Sequence, residues 1–194
     1  MNIIFFDFDG TITTKDTFTE FIKFAKGVRY FYSTAFVIAY FYSLFLLKLI
    51  SADEAKRSIL KFYFKGYSKS SLEELGKFFI EKITLNGTIK PEMMDLIYGY
   101  KTQKNKVAVV SASFDIWIGQ FCAQHSIDCI CTNLAYSAEG IFDGELGSLN
   151  CKGVEKANRI TDKYNLTHYN EIIVYGDSKG DIEMMNLGTI KNWV

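Results

Sequence analysis

Residues 2–13 read NIIFFDFDGTIT, and this stretch decides the architecture. Residues 3–6 are an unbroken run of β-branched and aromatic side chains that stops at Asp7. Such a run fits a strand buried on both faces, as in a parallel sheet. Residues 106–111 (KVAVVS) and 171–176 (EIIVYG) have the same form, and each passes into a polar or glycine-containing turn. Helical patterns follow the three runs over 17–27, 114–125 and 179–187, and another over 153–164 leads into the third run. This alternation predicts a doubly wound, mostly parallel α/β sheet. Residues 129–149 alternate around Ala138-Glu139-Gly140 and predict an additional β-hairpin.

Almost a hundred residues separate the first two runs, far more than one crossover helix needs, and they read as helical throughout. Ser51-Ala52-Asp53-Glu54 is a capping box for a helix to Tyr63, and Ser70-Ser71-Leu72-Glu73 is another for a helix to Ile83. Pro91 suits a first helical turn. The expected division is a catalytic core of residues 1–13 and 89–194, with residues 14–88 inserted as a helical cap.

The chain has 194 residues and a formal net charge of zero, which argues against nucleic-acid binding through a broad basic face. Cys122, Cys129, Cys131 and Cys151 form no CxxC pair and read as reduced. The first residues lack a positive segment, and Asp7 and Asp9 interrupt the apolar run, so they do not read as a signal peptide. The expected location is cytoplasmic. Cys122, His125, Cys129 and Cys131 suffice in number for zinc, but their helical and strand spacing favours small core side chains. His168 reads as solvated.

Aromatic residues are abundant: 17 Phe, 12 Tyr and 2 Trp. Seventeen of them fall between Phe18 and Phe79, inside the helical insertion. Within it, residues 30–47 (YFYSTAFVIAYFYSLFLL) carry no charge and are flanked by Arg29 and Lys48. The run just reaches membrane-spanning length. A single crossing would separate Asp7 from everything after Lys48, which disfavours it. A helix buried in the cap or in a homodimer interface, and a helix making peripheral membrane contact, both stay open.

The three strand runs end in Asp7-Phe8-Asp9-Gly10-Thr11, in Ser111-Ala112-Ser113, and in Gly176-Asp177-Ser178-Lys179-Gly180-Asp181. In an open parallel sheet, ligands bind at the carboxyl ends of the strands. Adjacent strands would bring four carboxylates and a serine together there. Such a group needs a cation, and an all-oxygen set suits a hard ion such as Mg²⁺ with a phosphate.

Asp7-Phe8-Asp9-Gly10-Thr11-Ile12-Thr13 resembles the DxDGT[LIV]T motif of the haloacid dehalogenase-type phosphatase superfamily. Ser111 resembles its second motif, and Gly176-Asp177-Ser178-(x2)-Asp181 its fourth. The resemblance spans the whole chain and implies a Rossmann-like core, and the insertion is similar to the type I cap of phosphoserine phosphatase-like members. It further implies that Asp7 is a nucleophile forming an aspartyl-phosphate and Asp9 the acid and base. Ser111, Gly10, Thr11 and the backbone at Ala112 would hold phosphate. Asp7, Asp9 through its carbonyl, Asp177 and Asp181 would surround Mg²⁺, with Asp181 orienting a water or the lysine. Members with C-x-G-x-x-K place the third-motif lysine at Lys156, whereas a K-G step favours Lys152. Asp16 stands where relatives grip a substrate amine. The implied substrate is a small phosphorylated metabolite or an apolar or lipid phosphate. A phosphotransferase using the same intermediate, and a membrane-peripheral binding protein, are the alternatives. Only thirteen residues follow Asp181, where many members of the family add another strand and helix, so the expectation is either a sheet one strand shorter on that edge or the loss of that element because the chain ends early.

Overall fold

The computed structural model describes residues 1–194. Five strands form one parallel sheet: β1 (Ile3–Phe6), β2 (Lys106–Phe114), β3 (Asp128–Thr132), β6 (Ile172–Gly176) and β7 (Ile190–Trp193). Their order is β3-β2-β1-β6-β7. The chain starts in the middle, builds outward to β3, and then crosses to the other side of β1. The crevice at this reversal of direction is where doubly wound sheets bind ligands.

Alternation along β1 sends its side chains into two separate cores. Ile4 and Phe6, with Val107, Val109 and Ile173, face the larger one, which also contains Phe21, Phe64, Phe79 and Trp117. Ile3 and Phe5, with Ala108, Val110 and Val174, face a smaller one closed by Ile160, Met184 and Met185. Helices α8 (Val154–Lys163) and α9 (Ile182–Leu187) therefore cover one face. Helices α6 (Pro91–Thr102) and α7 (Asp115–His125) lie on the other, with Pro91 in the first turn of α6 as expected.

The segment between β1 and β2 forms helices α1 (Thr17–Lys26), α2 (Val28–Ser33), α3 (Ala35–Leu46), α4 (Ala52–Phe64) and α5 (Lys69–Leu85) before α6. It leaves and re-enters the core side by side, because Thr13 pairs with Ile89 and Lys90 N–H donates to the Ile12 carbonyl. The capping box Ser51–Glu54 is present at α4.

Five expectations need correction. The N-cap of α5 is Ser68, whose hydroxyl accepts from Ser71 N–H, so the helix begins before the expected Ser70 box. Residues 30–47 are not one helix: the chain breaks at Thr34, whose hydroxyl bonds the Tyr30 carbonyl and meets the Tyr63 hydroxyl. No helix is long and apolar enough to cross a membrane. The hairpin is shorter than 129–149. Asp128–Thr132 joins the parallel sheet beside β2, and only β4 (Leu134–Tyr136) and β5 (Phe142–Leu146) pair antiparallel, around Ser137–Gly140. Strand β2 continues past Ser111 to Phe114, with a register shift between the two. Finally, the sheet is not one strand short, because β7 pairs with β6 at its edge.

Helices α5 and α7 approach so closely at Gly76 that a Cβ there would strike the Ile116 carbonyl. Gly76→Val should lower stability by about 3 kcal/mol. Thermal unfolding would then show a Tm lowered by roughly 6–12 °C.

Candidate active site

Asp7 follows directly on β1, and its N–H donates to the Tyr175 carbonyl of β6. The chain then turns sharply through Phe8–Ile12, with Gly10 at φ +84°. A side chain at Gly10 would also collide with the Asp177 carboxylate, so two independent constraints require glycine. Thr11 is fully buried beneath the loop, its hydroxyl 3.5 Å from Asp7 Oδ2.

Lys156 enters this site from the first turn of α8. Its Nζ lies 2.5 Å from Asp7 Oδ1 and 2.6 Å from Asp181 Oδ1, and all three side chains are almost completely buried. Gly153, at φ +59°, allows the turn into α8, and its N–H donates to the Gly180 carbonyl. Asp181 is held in turn by a capping box with Ser178: its Oδ2 accepts from the Ser178 N–H and hydroxyl, each at 3.1 Å.

Burial dominates the electrostatics. It pushes the Asp7 carboxyl up to about 7, against the pull of Lys156 and with the help of the Asp181 charge. Burial alone would lower the Lys156 ammonium, yet Asp7 and Asp181 carry it above its ordinary value. Burial likewise works to raise Asp181, but Lys156 and the Ser178 donors hold it below the usual carboxylate range. Asp177 is raised by burial and by the Asp181 charge.

Oxygens of Asp7, Asp177 and Asp181 lie within 4.8 Å of one another. A set made only of carboxylate oxygens at that separation fits a hard cation better than a softer, nitrogen- or sulfur-binding one.

Asp9 is anchored at the start of α1. Its Oδ1 accepts from the Thr17 N–H at 2.7 Å and the Thr17 hydroxyl at 2.5 Å, and its Oδ2 accepts from the Ser113 hydroxyl at 2.5 Å. Burial, then the neighbouring Asp16 charge, raises its carboxyl above the ordinary range despite these donors. Ser111 is fully buried, and its hydroxyl accepts from Ser113 N–H. The shift in strand register after Ser111 accompanies the placing of Ser113 against Asp9.

Residues 4–186 match the haloacid dehalogenase-like hydrolase family. The chain belongs to that family. It is 28% identical to the protein CicA of Caulobacter vibrioides over 196 residues, covering 98% of this chain and 85% of the relative. Its fold is similar to that of a protein of unknown function from Bordetella pertussis Tohama I, with TM-score 0.77 and 15% identity over 98% of this chain and 88% of the other. It is also similar to a substrate-bound phosphoserine phosphatase, with TM-score 0.68 and 19% identity over 97% of this chain and 83% of the other.

In this hydrolase the carboxylates open onto a cavity of about 610 Å³. Asp7, Asp9, Gly10, Ala112, Lys156, Asp177 and Asp181 line its floor, and Ile38, Tyr42, Phe45, Lys56 and Ile59 come from the helical insertion. Ser111 and Thr11 lie behind this wall. Asp16 lines the rim, is exposed, and caps α1 through Thr19 N–H. Lys152 is an exposed rim residue that does not reach Asp7. His125 turns Nδ1 to the Tyr98 hydroxyl.

Two residues escaped the sequence reading. Ser113 had a signal, since it follows Ser111 at the same strand end. Lys56 had none, being one of several lysines on an amphipathic helix. It reaches from α4 across the cavity to the Ala112 carbonyl at 2.5 Å, with Nζ 4.5 Å from the centre of the Phe114 ring. Burial lowers its ammonium, opposed by Asp9 and Asp16.

The two lysines differ in what they neutralise. Lys156→Met leaves two buried carboxylates unpaired and should cost about 3 kcal/mol or more. Lys152→Met should stay within about 0.5 kcal/mol of wild type. Urea unfolding of both variants measures the difference.

Proposed function

We propose that the protein is a Mg²⁺-dependent phosphomonoester hydrolase working through an aspartyl-phosphate on Asp7. The observation that carries this reading is the buried ammonium of Lys156 between Asp7 and Asp181, on the floor of a cavity that also contains Asp9. Membership of a hydrolase family and the fold likeness to a phosphoserine phosphatase support it.

An anionic phosphate can approach a carboxylate only where its charge is offset, and Lys156 supplies a fixed cation at the attacking oxygen. Asp7, Asp177, Asp181 and the Asp9 carbonyl would hold Mg²⁺, which when bound neutralises phosphate oxygens and keeps the phosphoryl group in line. One Asp7 oxygen attacks phosphorus, and the ester P–O bond breaks. Asp9, whose raised carboxyl keeps a proton more readily, gives it to the departing oxygen. Asp9 then takes a proton from water as the water oxygen attacks phosphorus. Inorganic phosphate leaves and the Asp7 carboxylate is restored. The backbone at Gly10 and Ala112 lines the phosphate cradle, with the buried hydroxyls of Ser111 and Thr11 directly behind it, and Lys156 rather than Lys152 is the catalytic lysine.

Residues 14–88 act as the cap that chooses the substrate, a small phosphorylated compound or an apolar phosphate. Lys56 gives this cap a cation inside the cavity, suited to a second anionic group or to the phosphate itself, and Asp16 offers a carboxylate at the rim.

Purified protein should release phosphate from para-nitrophenyl phosphate with Mg²⁺ and lose this on chelation. Asp7→Asn should lower kcat by about a thousandfold or more. Retained turnover in that variant would overturn the mechanism. Lys56→Met should raise KM roughly tenfold with a smaller change in kcat, in a screen across phosphoserine, sugar phosphates, nucleotides and lipid phosphates.

A further inference from the structure

Helix α3 is apolar around its whole circumference, AFVIAYFYSLFL, yet of its twelve residues only Val37 is buried. A helix of that composition normally lies inside a protein or in lipid. Its inner side rests on the cap: Thr34, just before it, bonds Tyr63 of α4, and Ile38 and Phe41 pack against the larger core. Its outer side faces outward: Phe36, Leu46 and Leu49 just beyond it are each at least 60% exposed. Tyr32 and Tyr40 extend the same surface, which is larger than scattered surface hydrophobes account for.

Two further observations say what covers it. The first is charge. Between Glu20 and Asp53 the chain has no acidic residue, while Arg29 and Lys48 stand exposed at the two ends of the α2–α3 pair, neither in an ion pair. A second copy meeting this face about a two-fold axis would set like charges against each other. An anionic surface would complement them. The second is continuity. Ile38, Tyr42 and Phe45 of the same helix form a wall of the catalytic cavity, so the exposed face runs directly into its mouth. At twelve residues α3 spans about 18 Å, short of the ~30 Å hydrocarbon layer, so it would lie along a bilayer rather than cross it.

We infer that the α2–α3 face docks on an anionic lipid bilayer, with its tyrosines and phenylalanines at headgroup depth and the cavity mouth turned toward the surface. Tyrosine suits that depth because its ring is apolar and its hydroxyl stays wet. Resting on the phosphatase reading, this makes a phosphomonoester displayed at a membrane surface the substrate class. The docking itself does not depend on catalysis.

The experiment is co-flotation of the whole 194-residue chain with vesicles of phosphatidylcholine alone, or of phosphatidylcholine and phosphatidylglycerol in equal parts. Wild type and Asp7→Asn should float with the anionic vesicles only. Phe36→Ser/Tyr40→Ser/Leu46→Ser should weaken binding by about tenfold or more. Arg29→Glu/Lys48→Glu should also release the protein. Neither set touches the cavity wall, so both should keep wild-type Tm and turnover of para-nitrophenyl phosphate. No flotation of wild type, or flotation unchanged in the triple variant, overturns the inference. So does a wild-type dimer in light scattering that the triple variant dissociates while vesicles are ignored. Flotation of a protein that hydrolyses no ester would refute the phosphatase reading and leave the docking surface standing.

Discussion

Everything at the carboxyl end of the sheet follows from charge. Parallel strands β1 and β6 run side by side and deliver Asp7, Asp177 and Asp181 to one small volume. Asp7 and Asp181 are buried while Asp177 stays exposed, and like charges so close together repel, most strongly where water is excluded. The Lys156 ammonium is the fixed answer to this repulsion, and the nearby local structure serves to bring it there. Gly153 frees the turn into α8, and Gly176 leaves room for Asp181, whose Cβ would come within 2.8 Å of a methyl group on that glycine. The Ser178 capping box orients the Asp181 carboxylate so that one oxygen is used locally and the other meets Lys156. Without the ammonium, neither carboxylate could remain both ionised and buried.

The helical segment between β1 and β2 obeys a different rule. Its contacts are aromatic: Phe21 stacks on Trp117 of α7 and meets Phe64 and Phe79 edge-on or tilted. This packing merges the segment with one face of the sheet into a single core. Polar links cross the cleft as well. Lys56 bonds the Ala112 carbonyl, Asn150 donates to Asp53, and Arg57 pairs with Glu145. An acidic floor thus faces a largely apolar roof from which the Lys56 ammonium reaches inward.

The strands β1, β2 and β6 and the acids at their ends were legible because burial on both faces demands unbroken apolar runs, and an acid ending such a run stands out. The helical segment was legible from its length and from the Ser51–Glu54 capping box. What escaped depends on contacts distant in sequence. At the break, the Thr34 hydroxyl bonds the Tyr30 carbonyl and also meets the Tyr63 hydroxyl, 29 residues away in sequence. Strand β3 was absorbed into a hairpin because its alternation, read locally, fits either partner; its pairing with β2 decides the matter. Strand β7, IKNW, is a largely exposed edge with no apolar run to announce it. Lys156 and Lys152 are near neighbours in sequence, and only the helical geometry of α8 aims one of them inward. Lys56 became visible only when the cavity closed around it.

The central position of β1 has a consequence for how the molecule comes into being. Its neighbours begin at Lys106 and Ile172, so the strand that carries Asp7 has no partner when it is made. During synthesis the aromatic helices emerge next, before most of the sheet exists to receive them. Pairing β1 on its second side must wait for residues 172–175, which makes this a fold of long-range contacts and slow closure. The strand that ends in Asp7 is thus completed on its second side only after every helix of the roof has been made, and a chain cut short before residue 172 would have that roof but no finished floor.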